Sequence, residues 1–239
     1  INYGGGIAAS ADNLGLALAD LERIAEWQPA HRDSLLKFAV ELRKAALSAK
    51  SDLDSVAVQY YYARYKTQHF DALRQWDAAR RWSVEKLRCT NKLCPPNDLE
   101  SSWQEDWFDA RLSAAYYHLF GGSRDTAALS AAIRYSLEAE RRLEAGAIYS
   151  SAYLLKTNLA HALLLRNRAG DREEAIRYYT EFLALNSASN DLWSVLEKDF
   201  RDLHEAGVVW PGLRQVIRQI NPDVKMSPEA WRAMGAEVN

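Results

Sequence analysis

The side chains in this chain that could do chemistry are two cysteines, five histidines and a scatter of paired charges. Cys89 and Cys94 lie close together in "CTNKLCPP". That spacing admits a small disulfide-closed loop in an oxidising compartment, or two thiols near a helix end. A metal site would need more ligands, and no pair of histidines stands nearby to complete a tetrahedral set. His31, His69, His118, His161 and His204 are spread along the chain, and only folding could bring His69 and His118 together. Glu105 and Asp109, in "SWQEDWFD", share a helix face at i,i+4, a pair that can hold a metal or exchange protons in a helical bundle. No Glu-x-x-His accompanies them, and an acidic first turn is what a helix dipole favours. A phosphate-binding glycine loop and a His-Glu-x-x-His helix are both missing, and "YGGG" near the start follows no strand. No nucleophile triad assembles from spacing. The chain therefore reads as a non-enzyme with no metal and no cofactor.

What would position these residues is helix almost throughout. Of 239 residues, 48% are apolar and 26% charged, with only 11 glycines and 6 prolines, an ordinary globular composition. Thirty basic and 32 acidic side chains nearly cancel, which argues against a nucleic-acid partner. No run of about eighteen apolar residues occurs that would insert in a membrane. The start, "INYGGGIAAS", has neither a Met nor a basic n-region and reads as a cut start within a longer protein. Residues 1–12 are expected to be a linker and 13–239 a single domain.

A period near 3.6 predicts about ten helices. The first runs from Asp12 or Asn13 to about Glu26, and the second covers "SLLKFAVELRKAALSA". A third covers "DSVAVQYYYARYKTQ". A fourth, "FDALRQWDAARRWSVEKLR", sets Leu73, Trp76, Ala79 or Arg80, Val84 and Leu87 on one side and ends at "CTNKLCPPND". Helices at about Ser102–Leu119, from beyond Arg124 to Glu144, and over "SSAYLLKTNLAHALLLRNR" follow, then three more and a short cap. Gly146 and Gly207 mark two ends, and Ser227 with Pro228 marks the start of the cap. Long helices alternating with short loops are the mark of stacked antiparallel helical hairpins, an all-α solenoid of about five hairpins.

One stretch is more specific. "NLAHALLLRNRAGDREEAIRYYTEFLALN" (158–186) resembles a tetratricopeptide repeat. Leu159 and Ala160 stand where the family wants a leucine and a small residue, and "AGD" supplies its turn. Ala175, Tyr179 and Phe182 fill the second helix. Asn186 and Ser187 replace the family's closing proline, and the first helix reads on through "RNR". Residues 107–139 and 60–87 are degenerate versions.

The resemblance implies a concave face lined by first helices that holds a protein or peptide, including another domain of the parent chain. Leu154, Thr157, Asn158, His161 and Leu165 form the matching stripe, with Asn158 placed to bond a ligand backbone and His161 facing the groove. Asn158 could equally make an internal bond and His161 be merely exposed. Tyr60, Tyr61 and Tyr62 are consecutive, and helix positions step by about 100°. At least one ring is therefore expected to be exposed or to meet a partner. The functional expectation is a recognition scaffold within a larger protein. Alternatives are a regulatory module binding a small ligand in the concavity, like the helical-repeat sensors of bacterial signalling proteins, or a structural domain packed on its own parent chain. Thiols at Cys89 and Cys94 would indicate cytoplasm, a disulfide the periplasm or outside.

Overall fold

A computed structural model describes residues 15–17, 19–20, 22–23, 52–95, 101–121, 125–146, 149, 151–185 and 191–236. Among the described residues the fold is all-α, built from antiparallel helix hairpins with no strand. The chain divides into two compact units, 1–110 and 111–239, within the span read from sequence as one domain. The expected linker at 1–12 and the second expected helix lie outside the described residues.

In the first unit α1 is Asp52–Ala72 and α2 is Trp76–Leu93. "FDA", assigned by periodicity to the fourth helix, instead completes α1. The break follows at Arg74, whose left-handed φ of 55° reverses the chain. Described residues between 15 and 23 are also helical and cross α1 closely. A Cβ on Gly15 would lie 2.7 Å from the Tyr61 Cβ and the Tyr62 nitrogen, so only glycine fits there.

The face that α2 buries matches the expected stripe only in part. Val84 is exposed and Trp76 half-buried, while Ala79, Ser83, Lys86, Leu87, Thr90 and Leu93 are buried. The hydroxyls find acceptors on their own helix: Ser83 Oγ donates to the Arg80 carbonyl at 2.7 Å and Thr90 Oγ1 to that of Leu87 at 3.0 Å. Back-bonding of this kind makes a hydroxyl a small, satisfied side chain at an interface.

The second unit takes the end of α3 (Gln104–Leu119) and all of α4 (Thr126–Glu144), α5 (Tyr153–Arg166), α6 (Asp171–Leu183), α7 (Leu192–Glu205), α8 (Leu213–Ile220) and α9 (Pro228–Ala233). Their starts are chemically marked. Asp125 accepts from the Ala127 and Ala128 amides, Asp191 from Ser194, and Ser227 from Ala230. One continuous core joins Leu119, Leu129, Leu164, Phe182, Leu196, Phe200, Leu213 and Met234. Each large apolar side chain so buried contributes about 1.5–3 kcal/mol. Ala160 and Ala175 are fully buried where α5 meets α6, as small residues at a close helix crossing should be.

The α5–α6 turn is the best-defined local structure in this unit. Periodicity carries the helix through "RNR", but it ends at Arg166 because Asn167 turns left-handed at φ 50° and Gly170 follows at φ 84°. Asp171 then closes the turn. Its carboxylate accepts from Arg166 Nε at 2.8 Å, from the second guanidinium nitrogen at 2.6 Å, and from the Arg168 amide at 2.9 Å. The Arg166 bonds hold the Asp171 carboxyl below its usual value, with the Arg168 amide adding to this. A lowered folded pKa stabilises the fold above the ordinary aspartate value, and the contribution is lost as pH falls. Asp171→Ala should cost about 1–3 kcal/mol in chemical denaturation at neutral pH. The difference from wild type should hold down to about pH 4 and close below it.

Candidate functional site

The expected binding stripe lies on α5, and α5 has almost no wet side. Nine of its fourteen residues are buried, eight of them consecutive from Thr157 to Leu164. Leu154 and Leu165 are half-buried. Thr157 Oγ1 donates to the Leu154 carbonyl at 2.9 Å, and Asn158 Nδ2 donates to the Leu112 carbonyl of α3 at 3.0 Å. The amide expected to meet a ligand backbone thus meets the protein's own.

His161 does not face an open groove; it is 0% exposed. Tyr179, Phe200 and Trp210 surround its ring at centroid distances of 5.4, 5.2 and 5.4 Å. Its Nδ1 lies 2.7 Å from the Tyr179 hydroxyl and its Nε2 3.4 Å from Asp199 Oδ2. A carboxylate only accepts, so the ring proton belongs on Nε2 and the Tyr179 hydroxyl donates to Nδ1. Burial, and then the Asp199 charge, push the Tyr179 phenol well above its ordinary value, so it keeps that proton. Residues from α6, α7 and the segment after α7 fill the space a concave face would offer.

The three tyrosines are also buried, with Tyr60 1%, Tyr61 9% and Tyr62 4% exposed. Steps of 100° would expose one of them on a helix with one open side. Here α1 is covered on several sides. Tyr60 and Tyr61 pack on Trp103 at 5.5 and 5.8 Å, and Tyr62 packs edge-on to Trp82 at 5.1 Å. The Tyr62 hydroxyl donates to Glu22, beside the segment that crosses at Gly15. The cysteines are likewise internal, as two buried thiols not joined to each other. Both lie on α2 or its cap, where five helical steps separate them by about 7.5 Å along the axis. That is beyond disulfide reach. Burial pushes the Cys89 thiol up to about 12, which makes it unreactive.

Protein-family models, curated proteins and solved structures were compared with this chain. None matches it.

Sequence spacing missed a group of interacting titratable residues in the first unit that is drawn from three helices. Tyr60 and Arg64 come from α1, Lys86 from α2, and Asp106 and Asp109 from α3. The Tyr60 hydroxyl donates to Asp106 Oδ1, and burial followed by the Asp106 charge raises the Tyr60 phenol. Desolvation raises the Asp106 carboxyl as well, against the opposing pull of Tyr60, Arg64 and Lys86. Lys86 is 8% exposed and has no hydrogen bond or ion pair among the described residues. Burial lowers its amine to about 8, with Arg64 lowering it further and Asp109 and Asp106 opposing. Lys66 one turn from Tyr62 shows the contrast: it is equally buried but donates to Glu22 at 2.7 Å and sits 4.9 Å above the Phe70 ring. No signal in "SVEKLR" distinguishes Lys86 from a solvated helix lysine.

A buried amine with a lowered pKa destabilises the fold wherever the unfolded chain would hold the proton more tightly. The penalty is full below about pH 8 and is relieved as pH rises toward 10.5. Lys86→Met should therefore raise the unfolding free energy by about 1–3 kcal/mol at pH 7. That gain should shrink between pH 8 and 10.5 in denaturation curves taken across the range. A variant less stable than wild type at pH 7 would show that the amine has a partner after all.

Proposed function

We propose that this chain is a protein-recognition module that acts by binding rather than catalysis, with α5–α6 as a tetratricopeptide-like hairpin. Support for the reading comes first from architecture, since helix hairpins with filled interiors leave their outer faces for partners. The observation that carries it is the exposed face of α5–α6. Tyr153 and Leu185 are large and apolar yet 38% and 52% exposed, at the same end of the hairpin. Tyr153 stacks on Phe182 at 6.2 Å, which fixes its ring.

Beside them runs a fixed charge network: Lys156 donates to Glu181, and Arg177 bridges Glu174 and Glu181 while lying 4.1 Å over the Tyr178 ring. A rigid aromatic and an ordered arginine beside apolar surface are the composition of interface hot spots. A small ligand in the concave face draws less support, because His161, Phe200 and Trp210 pack against one another there. Among the described residues no helix is long and apolar enough to cross a membrane.

A photo-reactive side chain placed at position 153, in the chain expressed in its native cells, should cross-link one protein that the same group at exposed Arg201 on α7 does not. Leu185→Glu should reduce that product several-fold with helical content unchanged. Identical products from both positions, or none from 153, would remove this face from the function.

A further inference from the structure

The C-terminal segment is held to the rest of the second unit by side-chain packing rather than by hydrogen bonds. Its Trp231, Met234 and Ala236 are buried in the core of that unit, and Val224 and Met226 pack partly buried against it. Its polar groups turn to one another instead. The Asn221 amide closes α8 on the Ile217 carbonyl at 2.9 Å. Beyond that bond, every hydrogen bond and ion pair that residues 221–236 make among the described residues stays within the segment. Ser227 caps α9 at the Ala230 amide, Arg232 pairs with Glu229, and the Ala236 amide returns to the Trp231 carbonyl. Lifting the segment off α7 and α8 therefore breaks no hydrogen bond.

Two contacts define how it seats. The Arg214 guanidinium of α8 lies 5.2 Å from the centre of the Trp231 ring. Gly235, at φ 72°, sets its bare backbone on the imidazole of His204 from α7, where a Cβ would stand 2.4 Å from His204 Nδ1. The seat is not fully satisfied. Arg214 Nε is buried with no hydrogen-bond partner among the described residues. Opening returns water to the guanidinium beneath Trp231, so a cost of closure opposes the apolar gain.

We propose that residues 222–236 are an autoinhibitory strap, seated on an α7–α8 face that takes a short amphipathic helix of a partner protein. The strap itself specifies the occupant: an aromatic and a long flexible apolar side chain three positions apart, as Trp231 and Met234 are, followed by a glycine that meets His204. Helix-in-groove recognition uses anchors at this spacing. A short connector keeps the strap at high effective concentration, so a free segment of the same chemistry binds well only where the strap is unseated. The face lies on other helices than the recognition face of α5–α6.

The test uses a fluorescent peptide with the sequence of residues 221–236 and the intact chain, read by anisotropy. Gly235→Val drives a side chain into His204, and Trp231→Ala removes the main anchor; each unseats the strap and leaves the α7–α8 face unaltered. Both variants should bind the peptide several-fold more tightly than wild type, at nearly unchanged helical content. A peptide carrying Trp231→Ala should bind none of the three chains. Equal binding by wild type and variants, no binding to either variant, or a large loss of helical content in both overturns the proposal and makes α9 a fixed part of the core. Because no cellular partner enters the assay, its outcome is independent of the recognition face on α5–α6.

Discussion

A helical stretch enclosed on every side must satisfy its polar side chains from within the protein, and Thr157–Leu164 of α5 is such a stretch. An amide or imidazole that loses water without gaining a partner costs on the order of 1–3 kcal/mol. Thr157, Asn158 and His161 avoid that cost by three routes: a bond back to the same helix, a bond to the α3 backbone, and a bond to a tyrosine on the paired helix. The last two also fix register. Asn158 reaches Leu112 only if α3 and α5 sit at one axial offset, and His161 reaches Tyr179 only if α5 and α6 do. Asp171 sets the same α5–α6 offset from the turn, through Arg166. Two independent constraints on one helix pair make the hairpin the rigid part of the second unit, and its outer face inherits that rigidity.

The first unit meets the same constraint less completely. Tyr60, Tyr62 and Lys66 each reach a carboxylate, and Ser83, Thr67 and Thr90 each reach a carbonyl of their own helix. Lys86 alone in that set has no acceptor among the described residues. A carboxylate directly bonded to it would have raised the amine, whereas burial and Arg64 lower it.

What could be read in the sequence is what depends on neighbours along the chain. Helix caps at Ser227 and ends near Gly146 and Gly207 are set by local backbone chemistry and stand where expected. The all-α fold of antiparallel hairpins follows from the same local signals. Burial depends on neighbours far along the chain, and the readings that relied on it failed. Tyr60, Tyr61 and Tyr62 share no single face, so a pattern rule exposes one; only the crossing at Gly15 and the packing of Trp103 and Trp82 bury all three. The stripe through Asn158 and His161 stands out in the sequence because polar residues on an otherwise apolar helix need hydrogen-bond partners. Sequence could not say whether they met a ligand or the protein itself. Arg166 and Asp171 were legible in principle, as opposite charges across a short turn with the acid at a helix start.

The charge on Lys86 is linked to the stability of the fold around it. Whatever removes the amine's charge in place stabilises the folded chain relative to the unfolded one, because the unfolded lysine is solvated and bears no penalty to relieve. In the second unit no comparable lever exists at His161, whose two nitrogens both face partners already. The two units thus differ in how each disposes of its buried polar groups.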